Sequence, residues 1–404
     1  MINKVSTLNV LLYGEPIATI TNVGQDRTLF SFTEEYINNE SRSVLGLGFK
    51  DSLGNLLTNF KPTQTKLIPF FSNLLPEETM RNYLAERAGV DPAREFFLLW
   101  VLGQDLAGAI TVEPADGEAL PITDQKDIED EMKYEEPMRF SLAGVQLKFS
   151  GVQHSNGGLT IPVTGQGGSW IVKLPSSRFE AVPENEYSMM ALAGMLGMNV
   201  PDIQLLPIDR IENIPEGIGK FGDSAFVIKR FDRADNQAIH IEDFAQVFGI
   251  YPHDKYKMAS MRNIAQVIGI EGQAEDIAEF TRRLVFNTLI GNADMHLKNW
   301  SVIYKDKRTA SIAPAYDFLS TIAYIPDDSA SLKVSRSKKF SEFSIDELSH
   351  LAAKAMLPEK LVLETAKQTL EGFHQVWAKE KTNLALTKSM VEIIDKHLTT
   401  IPLR

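Results

Sequence analysis

Between Leu8 and Phe32 the chain alternates short apolar runs with Gly, Pro and Asn breaks, the period-two pattern of half-buried strands. Leu8–Tyr13, Glu15–Thr21 and Thr28–Phe32 are the expected strands, with a turn at Tyr13-Gly14-Glu15-Pro16. Over residues 76–106 the pattern turns helical. Pro76-Glu77-Glu78 places a proline and two acids in a first turn, where the helix dipole favours negative charge. Asp91-Pro92 is a second N-terminal signal, with Asp91 as cap. Phe96 to Gly103 is apolar nearly all round and predicts a buried helix. Strand-like spacing returns over 137–233, at Ile161–Val163, Trp170–Pro175 and Ala225–Phe231, around one helix from Asn185 to Gly197. From about residue 240 the chain reads as helical, interrupted by β-like pieces at Trp300–Tyr304 and Ser311–Ala315. The expected organisation is a β-rich N-terminal subdomain with two helices (1–112), an acidic linker (113–136), a β-rich lobe (137–233) and a helical lobe (234–404). The fold class is mixed α/β (α+β) and bilobed.

Composition narrows the function classes. A net charge of −12 argues against DNA binding through bulk electrostatics, which needs clustered Lys and Arg. The absence of cysteine excludes disulfides and thiolate metal sites and suits a reducing compartment. No apolar run approaches the roughly 18–20 residues of a membrane span, and the start of the chain lacks signal-peptide features. The expectation is a cytoplasmic protein that does not engage membranes. The acids between Glu113 and Glu136 read as a solvated connection.

The chemistry concentrates after the apolar run Leu284–Gly291. Gly291 would end that helix, so Asp294 falls on a loop before the strand Trp300–Tyr304, with Asn299 five positions on and Asp317 eighteen beyond it. Phosphoryl transfer needs a carboxylate to orient the attacking hydroxyl and take its proton, oxygen ligands for Mg²⁺, and a cation to offset the transferred charge. Asp294 fits the first role, Asn299 and Asp317 the second, and Lys298 or an incoming lysine the third. The order Asp, Asn, hairpin, Asp matches the catalytic loop of protein kinases. Asn292, Asp294 and Asn299 could by themselves merely build a turn; Tyr316-Asp317 on the following hairpin favours function. His296 has no partner at metal-ligand spacing and is expected to orient the loop.

A kinase also needs a strand lysine to hold the nucleotide. Lys173, flanked by Val172 and Leu174, is the best candidate, because an unpaired buried ammonium is costly; a snorkelling lysine at a strand edge is the alternative. Of the nearby acids Glu184 and Glu186, the second shares a helical face with Met189, Met190 and Ala193 and is the expected partner. Ser141-Leu142-Ala143-Gly144-Val145-Gln146-Leu147-Lys148 is a small-residue loop that could cap phosphates with backbone N–H groups. Lys229 to Arg233 occupies the place of an adenine-binding hinge, through backbone groups at Lys229 and Phe231, or is a strand end with solvated charges. Gly217-Ile218-Gly219-Lys220-Phe221-Gly222 matches a dinucleotide fingerprint in letters only, since a strand rather than a helix follows it.

Taken together, Phe140–Lys148, Ile171–Pro175, Glu184–Tyr187, Lys229–Arg233, Ile290–Asn299 and Tyr316–Ser320 resemble the HipA family of serine/threonine kinases from bacterial toxin–antitoxin systems, in order and spacing. The resemblance spans nearly the whole chain. It implies a protein-kinase-like bilobed fold using ATP and Mg²⁺, with Asp294 as base, Asn299 and Asp317 as metal ligands and Lys173 on the phosphates. It also implies that Ser141 is an autophosphorylation site that switches the enzyme off. A protein substrate carrying a Ser/Thr hydroxyl, a translation component such as an aminoacyl-tRNA synthetase, would be the target. A separate DNA-binding antitoxin would be the partner, with operator DNA met only through it. Two other readings stay open: a small-molecule phosphotransferase of the aminoglycoside or choline kinase type, which shares Asp-x-His-x-x-Asn, and a catalytically silent co-repressor.

Overall fold

The computed structural model describes residues 5–115, 148–154, 158–161, 168–214, 221–234, 237–326 and 329–403. The N-terminal part is an antiparallel sheet of β1 (Thr7–Leu12), β2 (Glu15–Asn22), β3 (Arg27–Phe32), β4 (Thr63–Gln64) and β5 (Ile110–Pro114), in the order β4-β3-β2-β1-β5. Three strands lie within a residue or two of expectation. Tyr13 and Gly14 both take positive φ, 56° and 81°, as a two-residue hairpin turn demands. Leu8, Val10 and Leu12 point to the core, where Phe30, Phe32, Phe49, Phe60, Phe70 and Phe71 pack largely edge to face.

The helix Glu95–Leu102 is buried as its composition predicts. Its cap is Arg94, not Asp91. Asp91 instead accepts the Ala93 N–H at 2.8 Å in a local turn, and the chain needs three more residues before it turns helical. The short helix Pro69–Ser72 escapes periodicity because four residues are barely one turn.

The β-rich lobe has β6 (Lys148–Gln153), β7 (Leu159–Thr160), β8 (Trp170–Lys173), β9 (Ile203–Pro207), β10 (Ile211–Glu212) and β11 (Ser224–Lys229), in the order β10-β7-β6-β8-β11-β9. β8 is central, so Lys173 stands between Lys148 on β6 and Phe226 on β11. The helix Val182–Met195 packs on β9 and β11. In the helical lobe, Ala274–Leu289 is the buried axis, packed by Met261–Glu271 and Glu359–Glu380. A three-stranded sheet of His240–Asp243, Ser301–Tyr304 and Ser311–Ile312 abuts it. The first of these strands was not expected, because its inward residues, His240 and Glu242, are polar yet fully buried.

Lys229–Arg233 is neither a solvated strand end nor a simple linker. Arg230 pairs with Asp232 (Nε–Oδ1 3.0 Å) and with Asp105 of the N-terminal part (3.0 Å), and Arg233 reaches both acids, at 2.9 and 3.2 Å. Arg233 also donates to the Gly108 and Leu106 carbonyls. Arg230 and Asp232 are buried. The charges that look solvated in sequence form a desolvated cluster between the N-terminal sheet and the junction of the two lobes.

Candidate active site

Helix Ala274–Leu289 stops at Ile290, and Gly291 follows at φ 66°. A Cβ on Gly291 would lie 2.3 Å from Ile322 Cδ1, so both the backbone and the packing require glycine. In the loop that follows, buried Asn292 is the organiser. Its Nδ2 donates to Asn287 Oδ1 (2.8 Å) and to the Asp317 carbonyl (3.3 Å), while its Oδ1 accepts the Asp294 N–H (3.0 Å). Asn299 Nδ2 donates to the Asp294 carbonyl at 2.9 Å. Asp294, Asn299 and Asp317 therefore share one hydrogen-bonded unit.

Asp317 lies five residues beyond the short strand Ser311–Ile312, at φ 57°. That left-handed conformation is more accessible to Asp than to most side chains and is held here by its surroundings. Helix Val182–Met195 grips the same segment: Asn185 Nδ2 donates to the Ser320 carbonyl and Asn185 Oδ1 accepts the Ser320 N–H, both at 3.1 Å. The Tyr316 hydroxyl donates to the Lys298 carbonyl at 2.9 Å, tying the segment to the loop.

Lys173 is 4% exposed, and its ammonium pairs with both Glu186 and Asp317. Glu184 sits in the helix's first turn, and Glu186 is the acid brought to the lysine. Burial opposes the Lys173 charge, but Asp317 and Glu186 outweigh it and hold the ammonium above its ordinary value. Burial likewise opposes ionisation of Asp317. Lys148, 3.5 Å away, and Lys173 overcome it and hold that carboxyl far below the usual range. Burial raises Glu186 against the pull of Lys173.

Asp294 keeps a side chain 51% exposed, so an incoming hydroxyl can reach it. Partial burial raises its pKa, against a hydrogen bond from Tyr256 and the charge of Lys255. His296 is buried behind it, with Nε2 4.0 Å from Asp294 Oδ2 and the Tyr256 ring edge-on at 5.0 Å between centroids. Burial and then Lys255 depress its pKa to about 3, so the imidazole is neutral and forms no ion pair. Its Nδ1 has no partner among the described residues.

Of the expected nucleotide contacts, Lys298 and Lys229 are engaged within the fold. Lys298 Nζ is engaged by Glu77 (2.7 Å) and the Asn73 carbonyl (3.1 Å) of the N-terminal part, so it is not left over for a phosphate. The Lys229 N–H donates to the Asp202 carbonyl (2.9 Å) and its ammonium faces Asp202 Oδ2 (3.2 Å), so its backbone donor is spent within the fold. Phe231 stacks obliquely on Tyr316 at 5.7 Å and remains at the lobe junction. Ser141, Leu142, Ala143, Gly144 and Gln146 lie outside the described residues. Lys148, just past them, points at Asp317.

The oxygen set suits a hard dication. Asp317 is ionised, and the bond from Asn299 Nδ2 to the loop leaves that amide's Oδ1 as its remaining polar atom. No group of three or more His, Asp or Glu among the described residues could hold a metal by itself. Asn299 Oδ1 and Asp317 would give a hard cation one or two protein oxygens, the remaining positions falling to substrate phosphates and water.

Sequence reading missed Asn185, Tyr256, Lys255, Glu77 and Asp105. Asn185 carried a signal, a polar residue at a buried position of an apolar helix. The others act across long separations, which local pattern does not encode.

Comparison with known proteins matches residues 8–113 to the HipA N-terminal domain and residues 140–377 to the HipA-like C-terminal domain. "Putative kinase Y4dM" of Sinorhizobium fredii is 54% identical, over 99% of this chain and 98% of its own length. "Serine/threonine-protein kinase toxin HipA" of Shewanella oneidensis is 28% identical over 65% of each chain. The solved Shewanella oneidensis complex of HipA, HipB and operator DNA superposes with a TM-score of 0.73 at 22% identity, covering 97% of this chain and 95% of that one. The bilobed mixed α/β fold is the same.

Proposed function

Since this chain belongs to the HipA-like family of kinases, we propose that it is an ATP-dependent serine/threonine-protein kinase serving as the toxin of a toxin–antitoxin pair. The observation that carries the proposal is the single Lys173 ammonium shared by Glu186 and Asp317, beside a loop that presents Asp294 and Asn299. The Lys–Glu pair and the neighbouring Asp are the parts a kinase assembles before transfer. A Mg²⁺ held by Asn299 and Asp317 would neutralise charge on the transferred group. Asp294 orients the acceptor hydroxyl and takes its proton; its raised pKa makes it the better base. Neutral His296 supports that carboxylate from behind without competing for the proton.

Ser141 belongs to the proposal as the site of self-modification. A phosphate of about −1.5 to −2 charge on Ser141 would repel nucleotide phosphates brought to the same loop. The solved Shewanella oneidensis complex, in which HipA is found with HipB and operator DNA, supports a DNA-binding antitoxin as partner. The net charge of −12 suits a basic one and argues that operator contact runs through it. The substrate is a protein hydroxyl, a translation component being the expected class. Separation of residues 1–112 from the β-rich lobe is supported by the distinct buried clusters around Phe30 and around Phe149, whereas the core of the helical lobe continues across the proposed boundary at 233 to Met189, Phe226 and Ile228. Among the described residues no helix is long and apolar enough to cross a membrane.

Intact-mass measurement before and after ATP–Mg²⁺ tests this reading. One added phosphate, mapping to Ser141 and absent from Asp294→Asn, is the expected result. Labelled metabolites without labelled protein, when a lysate is added with labelled ATP, would refute it.

A further inference from the structure

Glu77 lies in the N-terminal part, at the cap position of helix Glu78–Arg87. Its two carboxylate oxygens reach different segments of the helical lobe: Oε1 contacts Lys298 Nζ at 2.7 Å, and Oε2 contacts Lys255 Nζ at 2.9 Å. These lysines bracket the loop that carries Asp294. Lys298 is inside it, next to Asn299. Lys255 lies outside it, and its carbonyl accepts the Leu297 N–H at 3.3 Å. All three side chains are less than a third exposed. Burial opposes the Glu77 charge, but Lys298 and Lys255 win and pull its pKa down to about 2. A second N-terminal contact, the Asn73 carbonyl on Lys298 at 3.1 Å, acts in the same direction. Asn73 is itself fixed by donation to Ile250 at 2.7 Å.

The electrostatics make Glu77 more than a surface pair. One carboxylate compensates two ammonium groups. Without it, two partly buried cations of like charge face each other across the loop, and separation is the available relief. Releasing the two ammonium groups removes the tether that Glu77 places on the backbone at Lys298, beside Asn299, and at Lys255, whose carbonyl holds Leu297. The loop's internal bonds from Asp294 N–H to Asn292 and from Asn299 to the Asp294 carbonyl remain, so the loop persists, while the longer Asn292–Asp317 contact, 3.3 Å, is the one a shift of the loop strains. Among the described residues Glu77 forms no ion pair with Lys173, and its partners are Lys255 and Lys298 rather than any group placed on the transferred phosphate, so its effect on transfer would be indirect.

We propose that Glu77 is a positioning residue for phosphate transfer: by bridging Lys255 and Lys298, it makes the N-terminal part hold the catalytic loop in register with Asp317. The proposal rests on the kinase reading above for its effect on rate, but not for its effect on the loop.

The test uses the full-length chain as wild type, Glu77→Gln and Glu77→Asp. Hydrogen exchange over residues 290–300 is measured without nucleotide. Self-phosphorylation is followed by intact mass with ATP–Mg²⁺, and affinity for a non-hydrolysable ATP analogue is measured alongside. Glu77→Gln is expected to speed loop exchange and slow transfer about 10- to 100-fold, the scale of a misplacement near 1 Å, with analogue affinity within about threefold of wild type and partial recovery in Glu77→Asp. Unchanged loop exchange in Glu77→Gln overturns the proposal whatever the activity. So does a transfer rate equal to wild type, or a loss of analogue affinity as large as the loss of rate. A wild type that binds the analogue yet transfers no phosphate sinks the kinase reading, and loop exchange then still decides whether Glu77 holds the loop.

Discussion

Glu242 offers a sharp test of how the N-terminal part is joined to the helical lobe. It is fully buried; its Oε1 accepts the Leu47 N–H at 2.7 Å and the Tyr304 hydroxyl, while Oε2 has no hydrogen-bond partner among the described residues. Burial raises its pKa from 4.5 to about 8, against the pull of those two donors. The folded state thus retains a proton that the unfolded chain releases above about pH 4.5, and stability falls as pH rises through that window. His240, on the same strand, works in the opposite sense. Burial holds it at about 4 against an ordinary 6.5, so it costs stability as pH falls through that range. The two nearly cancel between pH 4.5 and 6.5. From 6.5 to 8 Glu242 acts alone, over about 1.5 units, or about 2 kcal/mol at ~1.4 kcal/mol per unit. Glu242→Gln keeps the acceptor for Leu47 and Tyr304 and replaces an unpartnered acid proton with an unpartnered amide. It should remove the slope. Thermal melting of both proteins at pH 6.5, 7.2 and 8.0 should show the gap widening in favour of the variant by about 2 °C, at roughly 1 °C per kcal/mol for a chain of this length. A gap independent of pH, or a variant that loses stability with wild-type slope, would refute the reasoning.

Other expectations follow from the same geometry. Asp294→Asn should lower transfer by at least about 10³-fold, the order of a general-base contribution, while calorimetry finds ATP-analogue affinity little changed. The acid limb of the wild-type rate should lie above pH 3.8, because burial raises Asp294 and the ionised form is the base; a limb at or below that value in a pH–rate profile contradicts the assignment. Lys173→Met strands Glu186 and Asp317 and should cost about 3–5 kcal/mol in denaturant melts, partly recovered by adding Glu186→Gln. Gly291→Ala, strained in backbone and 2.3 Å from Ile322, should cost more than about 1 kcal/mol and impair transfer together; a variant as stable and active as wild type argues against the loop geometry.

The elements with a clean period were legible in sequence: the first three strands, the buried helix Glu95–Leu102 and the axis Ala274–Leu289. Lys173 and Glu186 could be paired because a charge among Val172 and Leu174 must be compensated somewhere, and one helical face offered one acid. His240–Asp243 was lost because burial there is satisfied by hydrogen bonds from distant backbone, not by apolar side chains. Lys298 was read for its distance along the chain from Asp294. Its actual partner, Glu77, is more than two hundred residues away in sequence, a pairing no local pattern announces. Arg230 and Arg233 were read as hinge or solvated charges for the same reason, since Asp105 lies far upstream.

The cluster of Asp105, Arg230, Asp232 and Arg233 bears on how this protein can be divided. The family boundary near residue 113 is a boundary in sequence but not in energy. A chain shortened there would leave Arg230 and Arg233 without Asp105, Leu106 and Gly108, and His240 and Glu242 without Leu45 and Leu47. Three buried polar side chains, and the half-buried Arg233, would lose partners at once. The N-terminal part is thus not cargo attached to a kinase. A graft of this part from a relative is expected to keep stability only where it brings an acid to meet Arg230 and Arg233 and backbone partners to meet His240 and Glu242.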